Sequence, residues 1–159
     1  MTRLYGRAPR GVRVVESVPR NYGQSTTIVS LLGLSGVGAT MILDGALDTT
    51  AFNCYCEQVL REEVEEGDVI VLDNLTSHRA SRIEEIVKER GGRVLWLSPY
   101  SPDFSPIEKM WSKLKTFLRR VKARTQEELE QAIAEGLKLI TASDCRGWFK
   151  SCGYEVSQS

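Results

Sequence analysis

Val69-Ile70-Val71-Leu72-Asp73-Asn74 is a run of four apolar residues that stops abruptly on two polar ones, and Gly67-Asp68 introduces it. A run this short, bounded by turn residues and rich in β-branched side chains, reads as a buried strand. Beyond it the spacing predicts a helix from about Arg79 to Arg90, halted by Gly91-Gly92, and then a second strand from Arg93 to Leu97. With the stretches that precede it, the order is strands, helix, strand, helix, strand. In open α/β sheets ligands are held beyond the carboxyl ends of the strands, so Asp73 is a candidate functional residue by position. The ordinary alternative is that Asp73 or Asn74 starts a turn or caps the next helix.

Toward the N-terminus lie three β-branched stretches, Val12 to Val18, Thr26 to Leu32 and Ala39 to Leu43, separated by Asn21-Tyr22-Gly23 and by Gly33 to Gly38. They read as an antiparallel meander. Gly33, Gly36 and Gly38 are not followed by Lys-Ser/Thr and do not open a helix, so they make a hairpin loop and not a phosphate cradle. Thr49 or Thr50 can cap a helix running to about Val64.

Toward the C-terminus, three of the five prolines, Pro99, Pro102 and Pro106, stiffen the loop that precedes the next helix. Ser105-Pro106-Ile107-Glu108 has the form of a capping box, which on its own accounts for Glu108. A loop held this rigidly also suits a site. The helix from Pro106 to Val121 is amphipathic, with Ile107, Met110, Trp111, Leu114, Phe117, Leu118 and Val121 on one face. Trp111 is thereby a core residue. Lys109, Lys113, Thr116 and Arg120 share the opposite face, and Glu108, Ser112, Lys115 and Arg119 form the flank between. From Lys109 to Arg124 there are seven basic residues and no acid. Such a stripe is either a solvated face or a surface that attracts phosphates. Two more helices are expected, about Thr125 to Ile140 and Asp144 to Cys152.

The 159 residues, 42% of them hydrophobic, suffice for one domain with a sizeable core. Equal numbers of acidic and basic residues, 21 of each, leave only local charge to argue for a polyanion partner. No apolar run approaches the roughly 18 residues a membrane span needs, and the N-terminus has no signal-like apolar region, so a cytoplasmic protein is expected. Cys54, Cys56, Cys145 and Cys152 form no CxxC pattern and lie far from His78, the single histidine. Buried, reduced thiols are the expectation.

Two segments together carry a resemblance. Val69-Ile70-Val71-Leu72-Asp73-Asn74 with His78, and Leu97-Ser98-Pro99-Tyr100-Ser101-Pro102-Asp103-Phe104-Ser105-Pro106-Ile107-Glu108 with Trp111 and Lys115, strongly resemble DDE transposases of the mariner superfamily, in its bacterial insertion-sequence branch. The 34 residues between Asp73 and Glu108 match the interval between the second and third catalytic acids of that branch. Leu4-Tyr5-Gly6-Arg7-Ala8-Pro9-Arg10-Gly11 looks like the segment after the family's first strand, so the likeness spans nearly the whole chain.

The resemblance implies an α/β, RNase H-like mixed sheet flanked by helices, with the central first strand missing from this chain and the N-terminal helix-turn-helix region missing too. Residues 1–159 would then be one catalytic domain in shortened form. It implies that Asp73 and Glu108 are catalytic and metal-binding carboxylates for two Mg²⁺ ions, with Mn²⁺ as substitute, carboxylates being apt ligands for hard cations. Asn74, His78, Pro102 and Pro106 would support them, and Lys109, Lys113, Lys115, Arg119 and Arg120 would contact DNA. The implied reaction is hydrolysis at an insertion-sequence end followed by attack of the freed 3′-OH on target DNA. The family's first acid has no counterpart here, since Asp44 and Asp48 fall where the pattern has none. The expectation is therefore a fragment inactive alone, with DNA and full-length transposase or a second copy as partners. Two alternatives stay open: a non-catalytic DNA-binding or oligomerising fragment that interferes with full-length transposase, and an RNase H-like nuclease of another kind that recruits Asp44.

Overall fold

The computed structural model describes residues 7–13, 15, 25–79, 81–99 and 102–156. Thr26–Gly33 (β1) and Gly36–Asp44 (β2) form the expected antiparallel hairpin, turning at Leu34-Ser35. Of the first stretch of the expected meander, only residues 12, 13 and 15 are described, and they are not in a strand. The rest of it, with Asn21-Tyr22-Gly23 and Leu4-Tyr5-Gly6, lies outside the described residues.

The hairpin is apolar on both faces, as a central layer must be. Ile28 and Ile42 pack on one side, Val29, Leu31, Ala39 and Met41 on the other. The register slips between Ser30 and Leu31, a β-bulge in which Ala39 is the extra residue. The Ala39 carbonyl accepts a hydrogen bond of 2.8 Å from the Tyr55 hydroxyl, which ties the bulge to the next helix. Burial pushes that phenol well above its ordinary pKa.

Thr49–Tyr55 (α1) passes through a π-helical turn at Cys56–Leu60 into Arg61–Glu63 (α2). The expected cap at Thr49 or Thr50 is instead Asp48, whose carboxylate accepts from the Ala51 amide at 2.7 Å. An acid one residue earlier reaches the third helical amide, so Thr49 begins the helix proper. Phe52, Tyr55, Cys56, Leu60 and Val64 turn inward onto the hairpin and onto Ile70, Ile83, Ile86 and Val87. Burial, with the Glu57 carboxylate adjacent, pushes the Cys56 thiol up to about 12.

Val69–Leu72 (β3) and Arg93–Trp96 (β4) pair in parallel, as the strand, helix, strand order requires. The single helix expected over residues 79–90 is in fact two, Thr76–Arg79 (α3) and Ile83–Glu89 (α4). The break has a local cause. Ser81 Oγ turns back to the His78 carbonyl (2.5 Å), and the Asn53 side chain of α1 takes the Arg82 amide (2.9 Å), so both compete with the helical ladder.

Pro106–Val121 (α5), Gln126–Lys138 (α6) and Ala142–Ser151 (α7) complete the chain, close to the expected bounds. Complete capping boxes, Thr125 with Glu128 and Thr141 with Asp144, start α6 and α7. α5 and α6 lie against the Ile28–Ile42 face of the hairpin through Leu114, Leu118, Ala132 and Ile133. Their close approach depends on Gly136, where a β-carbon would stand 2.5 Å from Leu114 Cδ1 and 2.9 Å from Phe117 Cδ1. The result is a mixed α/β architecture with helices on both faces of the strands. Among the described residues the strands form two pairs, β1 with β2 and β3 with β4.

Candidate active site

Asp73 is the first residue after β3, where the chain leaves the sheet. Its carboxylate accepts from the Leu75 amide at 3.2 Å, a turn that redirects the backbone into α3, and from His78 Nδ1 at 2.8 Å. Asp73 therefore does serve the turn, and it also holds a histidine. The two side chains differ in exposure, 55% for Asp73 and 13% for His78. The imidazole is sheltered because its ring lies against Phe52, centroids 4.2 Å apart. A histidine so placed can donate from Nδ1 and fix the orientation of a carboxylate that remains open to solvent.

Asn74 and Arg79 brace the same corner. Asn74 Nδ2 donates to the Leu97 carbonyl, linking the ends of β3 and β4, and its Oδ1 accepts from Arg79 Nε at 2.7 Å. The Arg79 guanidinium carbon sits 4.1 Å from the centre of the Trp96 ring, a cation–π contact that holds α3 over β4.

Glu108 lies in the first turn of α5, and here the sequence expectation fails usefully. Ser105 occupies the cap position but its side chain caps nothing, so the Ser105–Glu108 capping box does not close. Pro106 at the first helical position starts the helix without it. The Glu108 carboxylate is exposed, and it lines the same cleft as Asp73 and His78. That cleft, of about 450 Å³, runs between β1 and β3 and has apolar walls from Val29, Ile70, Phe52 and Trp111. Phe149 and Tyr154 close it from the C-terminal side. The Tyr154 hydroxyl donates to the Phe104 carbonyl at 2.8 Å and so steadies the turn Pro102–Phe104 that leads into α5.

Asp73 and Glu108 both line the cleft, and carboxylates are the ligand type suited to a hard divalent cation. Among the described residues, no group of three acidic, histidine or cysteine side chains is clustered closely enough to hold a metal. Asp44 accepts from Gln126 Nε2 at 3.1 Å and does not line the cleft, so it supplies no third ligand.

The basic residues of α5 divide. Lys109, Lys113 and Arg120 face a second groove, shared with α6 and α7 and lined also by Trp148. Lys113 is engaged there, donating to Asp144 Oδ2 at 2.7 Å and to the Leu139 carbonyl at 3.0 Å. Lys115 and Arg119 follow Glu108 at helical spacing along the same flank of α5, and neither lines the cleft itself. Sequence reasoning missed Phe52, Arg79, Trp96, Phe149 and Tyr154. None had a local signal, because each meets the site only through the tertiary fold.

The family model described as DDE superfamily endonuclease matches residues 1–130. The chain belongs to that family. No curated protein matches the sequence. Solved structures that this DDE endonuclease chain resembles include the Mos1 strand transfer complex, at 15% identity and a TM-score of 0.73, with 96% of this chain and 46% of that one covered. The Mos1 transposase paired-end complex with left transposon end gives 16% and 0.70, over 96% and 46%. The Mos1 mariner paired end complex with Mn gives 17% and 0.68, over 96% and 47%. The DDE endonuclease chain thus spans about half the length of the structures it matches. At these identities the likeness establishes the fold, which is RNase H-like. No helix among the described residues is long and apolar enough to cross a membrane.

Proposed function

We propose that this chain is a catalytic-domain portion of a transposase of the mariner superfamily, in its bacterial insertion-sequence branch, acting on DNA in the cytoplasm. The observation that carries the reading is the convergence of Asp73, from the end of β3, and Glu108, from the start of α5, on one cleft. Membership of the DDE endonuclease family agrees with it. Of the similar Mos1 structures, one is a paired end complex with Mn, and the others are a complex with a transposon end and a strand transfer complex.

In this reading Asp73 and Glu108 hold Mg²⁺, or Mn²⁺ in its place. The bound cations supply charge stabilisation at a phosphodiester undergoing cleavage and strand transfer. His78 orients the Asp73 carboxylate, Asn74 and Arg79 fix the strand end that carries it, and Pro102 and Pro106 set the position of Glu108. Lys115 and Arg119 contact the DNA backbone from the flank of α5 that carries Glu108, with Lys109, Lys113 and Arg120 a second basic surface beside it. Partners are transposon-end and target DNA, and full-length transposase or a second copy of this chain.

A second reading is a DNA-binding fragment that does not cut and interferes with full-length transposase. It is favoured by one observation, that among the described residues no group of three acidic, histidine or cysteine side chains is placed to hold a metal. One experiment separates them. The chain is incubated with supercoiled plasmid carrying insertion-sequence ends, with Mg²⁺ or Mn²⁺, beside Asp73→Asn and Glu108→Gln. Metal-dependent nicking lost in both variants supports the catalytic reading, whereas a salt-sensitive gel shift without nicking, in all three proteins, supports the second.

A further inference from the structure

The end of α7 is built to hold one side chain still. Gly153 takes φ +88°, and its amide and that of Tyr154 donate to the carbonyls of Lys150 and Phe149, both at 3.1 Å. That pairing is the Schellman motif, and the apolar contact that goes with it is the edge-on packing of Tyr154 against Phe149, centroids 5.5 Å apart. Tyr154 is thereby fixed in both backbone and ring. Its hydroxyl donates to the Phe104 carbonyl at 2.8 Å, in the turn Pro102–Phe104 that runs through Ser105 into α5. Partial burial raises the phenol above its ordinary pKa, so it remains a donor at neutral pH. The head of α5 has no side-chain cap of its own, because Ser105 makes none. α7 also grips α5 farther along, where Asp144 in its starting capping box accepts from Lys113 at 2.7 Å. Phe149 and Tyr154 line the cleft with Glu108, and both lie beyond residue 130, where the family match ends.

We propose that Tyr154 is a positioning residue for Glu108: its hydroxyl, held by the turn at Gly153, fixes the Phe104 peptide and so sets where the Glu108 carboxylate stands at the cleft. The path from hydroxyl to carboxylate is short and stiff. From the Phe104 carbonyl it runs through Ser105 and Pro106, whose ring fixes φ, to the Glu108 amide, which donates to the Ser105 carbonyl at 3.2 Å. A first turn of α5 that shifts carries its carboxylate with it, and metal–ligand distances tolerate only about 0.2 Å. Tyr154 itself touches no reacting group and acts through the backbone. The consequence for metal rests on the reading of Glu108 given above; the consequence for the backbone of residues 104–108 does not.

The test uses the full chain and Tyr154→Phe, which removes the hydroxyl and keeps the ring contact with Phe149. Amide hydrogen exchange is followed at Glu108, and at Leu114 and Ile133 as reporters of overall stability. Mn²⁺ binding is measured by titration calorimetry. Tyr154→Phe is expected to speed exchange at Glu108 about fivefold, the loss of one hydrogen bond, while Leu114 and Ile133 stay as in the parent. Mn²⁺ affinity should fall about threefold. Gly153→Ala, which strains the turn and keeps the hydroxyl, should act in the same direction at Glu108. Faster exchange at Glu108 in a parent chain that binds no Mn²⁺ would uphold the pinning of α5 and refute only the metal reading. Unchanged exchange at Glu108, equal acceleration at Leu114 and Ile133, or faster exchange with undiminished Mn²⁺ affinity would overturn the proposal.

Discussion

His78 Nδ1 lies 2.8 Å from Asp73 Oδ1, and Phe52 packs against the imidazole ring. The carboxylate is thereby oriented by a sheltered partner while it stays accessible itself. Partners of this kind to a metal-binding carboxylate are typically worth about 10–100-fold in metal affinity. We therefore expect His78→Ala to weaken Mn²⁺ binding by about that factor, measured by titration calorimetry. Unchanged affinity would mean that the pair serves only the turn into α3.

Glu108 offers a sharper contrast, because its two readings predict opposite stability effects. A closed capping box would cost about 0.5–2 kcal/mol on loss, but Ser105 caps nothing here. Glu108→Gln should leave urea unfolding within about 0.5 kcal/mol of the parent chain while lowering Mn²⁺ affinity. A large loss of stability with unaltered metal binding would return Glu108 to a structural role.

At Gly136 the α5–α6 contact has no room for a methyl group. Gly136→Ala should destabilise by about 1–3 kcal/mol through overpacking, despite the better helix propensity of alanine. Thermal or urea denaturation would register it, and a stabilised variant would mean that α6 shifts away from Leu114 and Phe117 without cost.

Hydrogen bonds from Lys113, first, and then from the Thr141 backbone and side chain hold the Asp144 carboxyl down at about 2. A depressed carboxyl contributes stability that is complete above its unfolded value, about 3.9, and is lost as pH falls through about 2. Docking of α7 should therefore weaken from about pH 4 downward, and Asp144→Asn should flatten that part of the melting profile. An identical acid profile in the variant would rule out this linkage. The pair is partly exposed, so the effect should be modest and salt-sensitive.

The same ion pair separates the basic residues by role. Lys115→Ala and Arg119→Ala should each weaken duplex DNA binding and lower the slope of log affinity against log salt by about one, as loss of one phosphate contact does. Lys113→Ala should loosen α7 first. A Lys113 variant with intact melting and a reduced salt slope would place that residue on the DNA instead.

Much of the site was legible in residue order. An apolar run of four ending in acid and amide fixed a strand end at Asp73, and proline at the head of an amphipathic stretch fixed the start of α5 at Pro106. Both are local signals, set by backbone restriction and by periodicity. The sequence by itself also determined the antiparallel hairpin, because short apolar runs joined by a glycine-rich loop leave few arrangements. It could not determine that Ser105 leaves Glu108 uncapped, that Asn53 breaks the helix at Arg82, or that Phe52, 26 residues before His78, shelters its ring. Nor could it reveal that β1 and β3 line one cleft together. These outcomes are competitions between a local partner and one brought by folding, and only the assembled layers decide which partner is nearer.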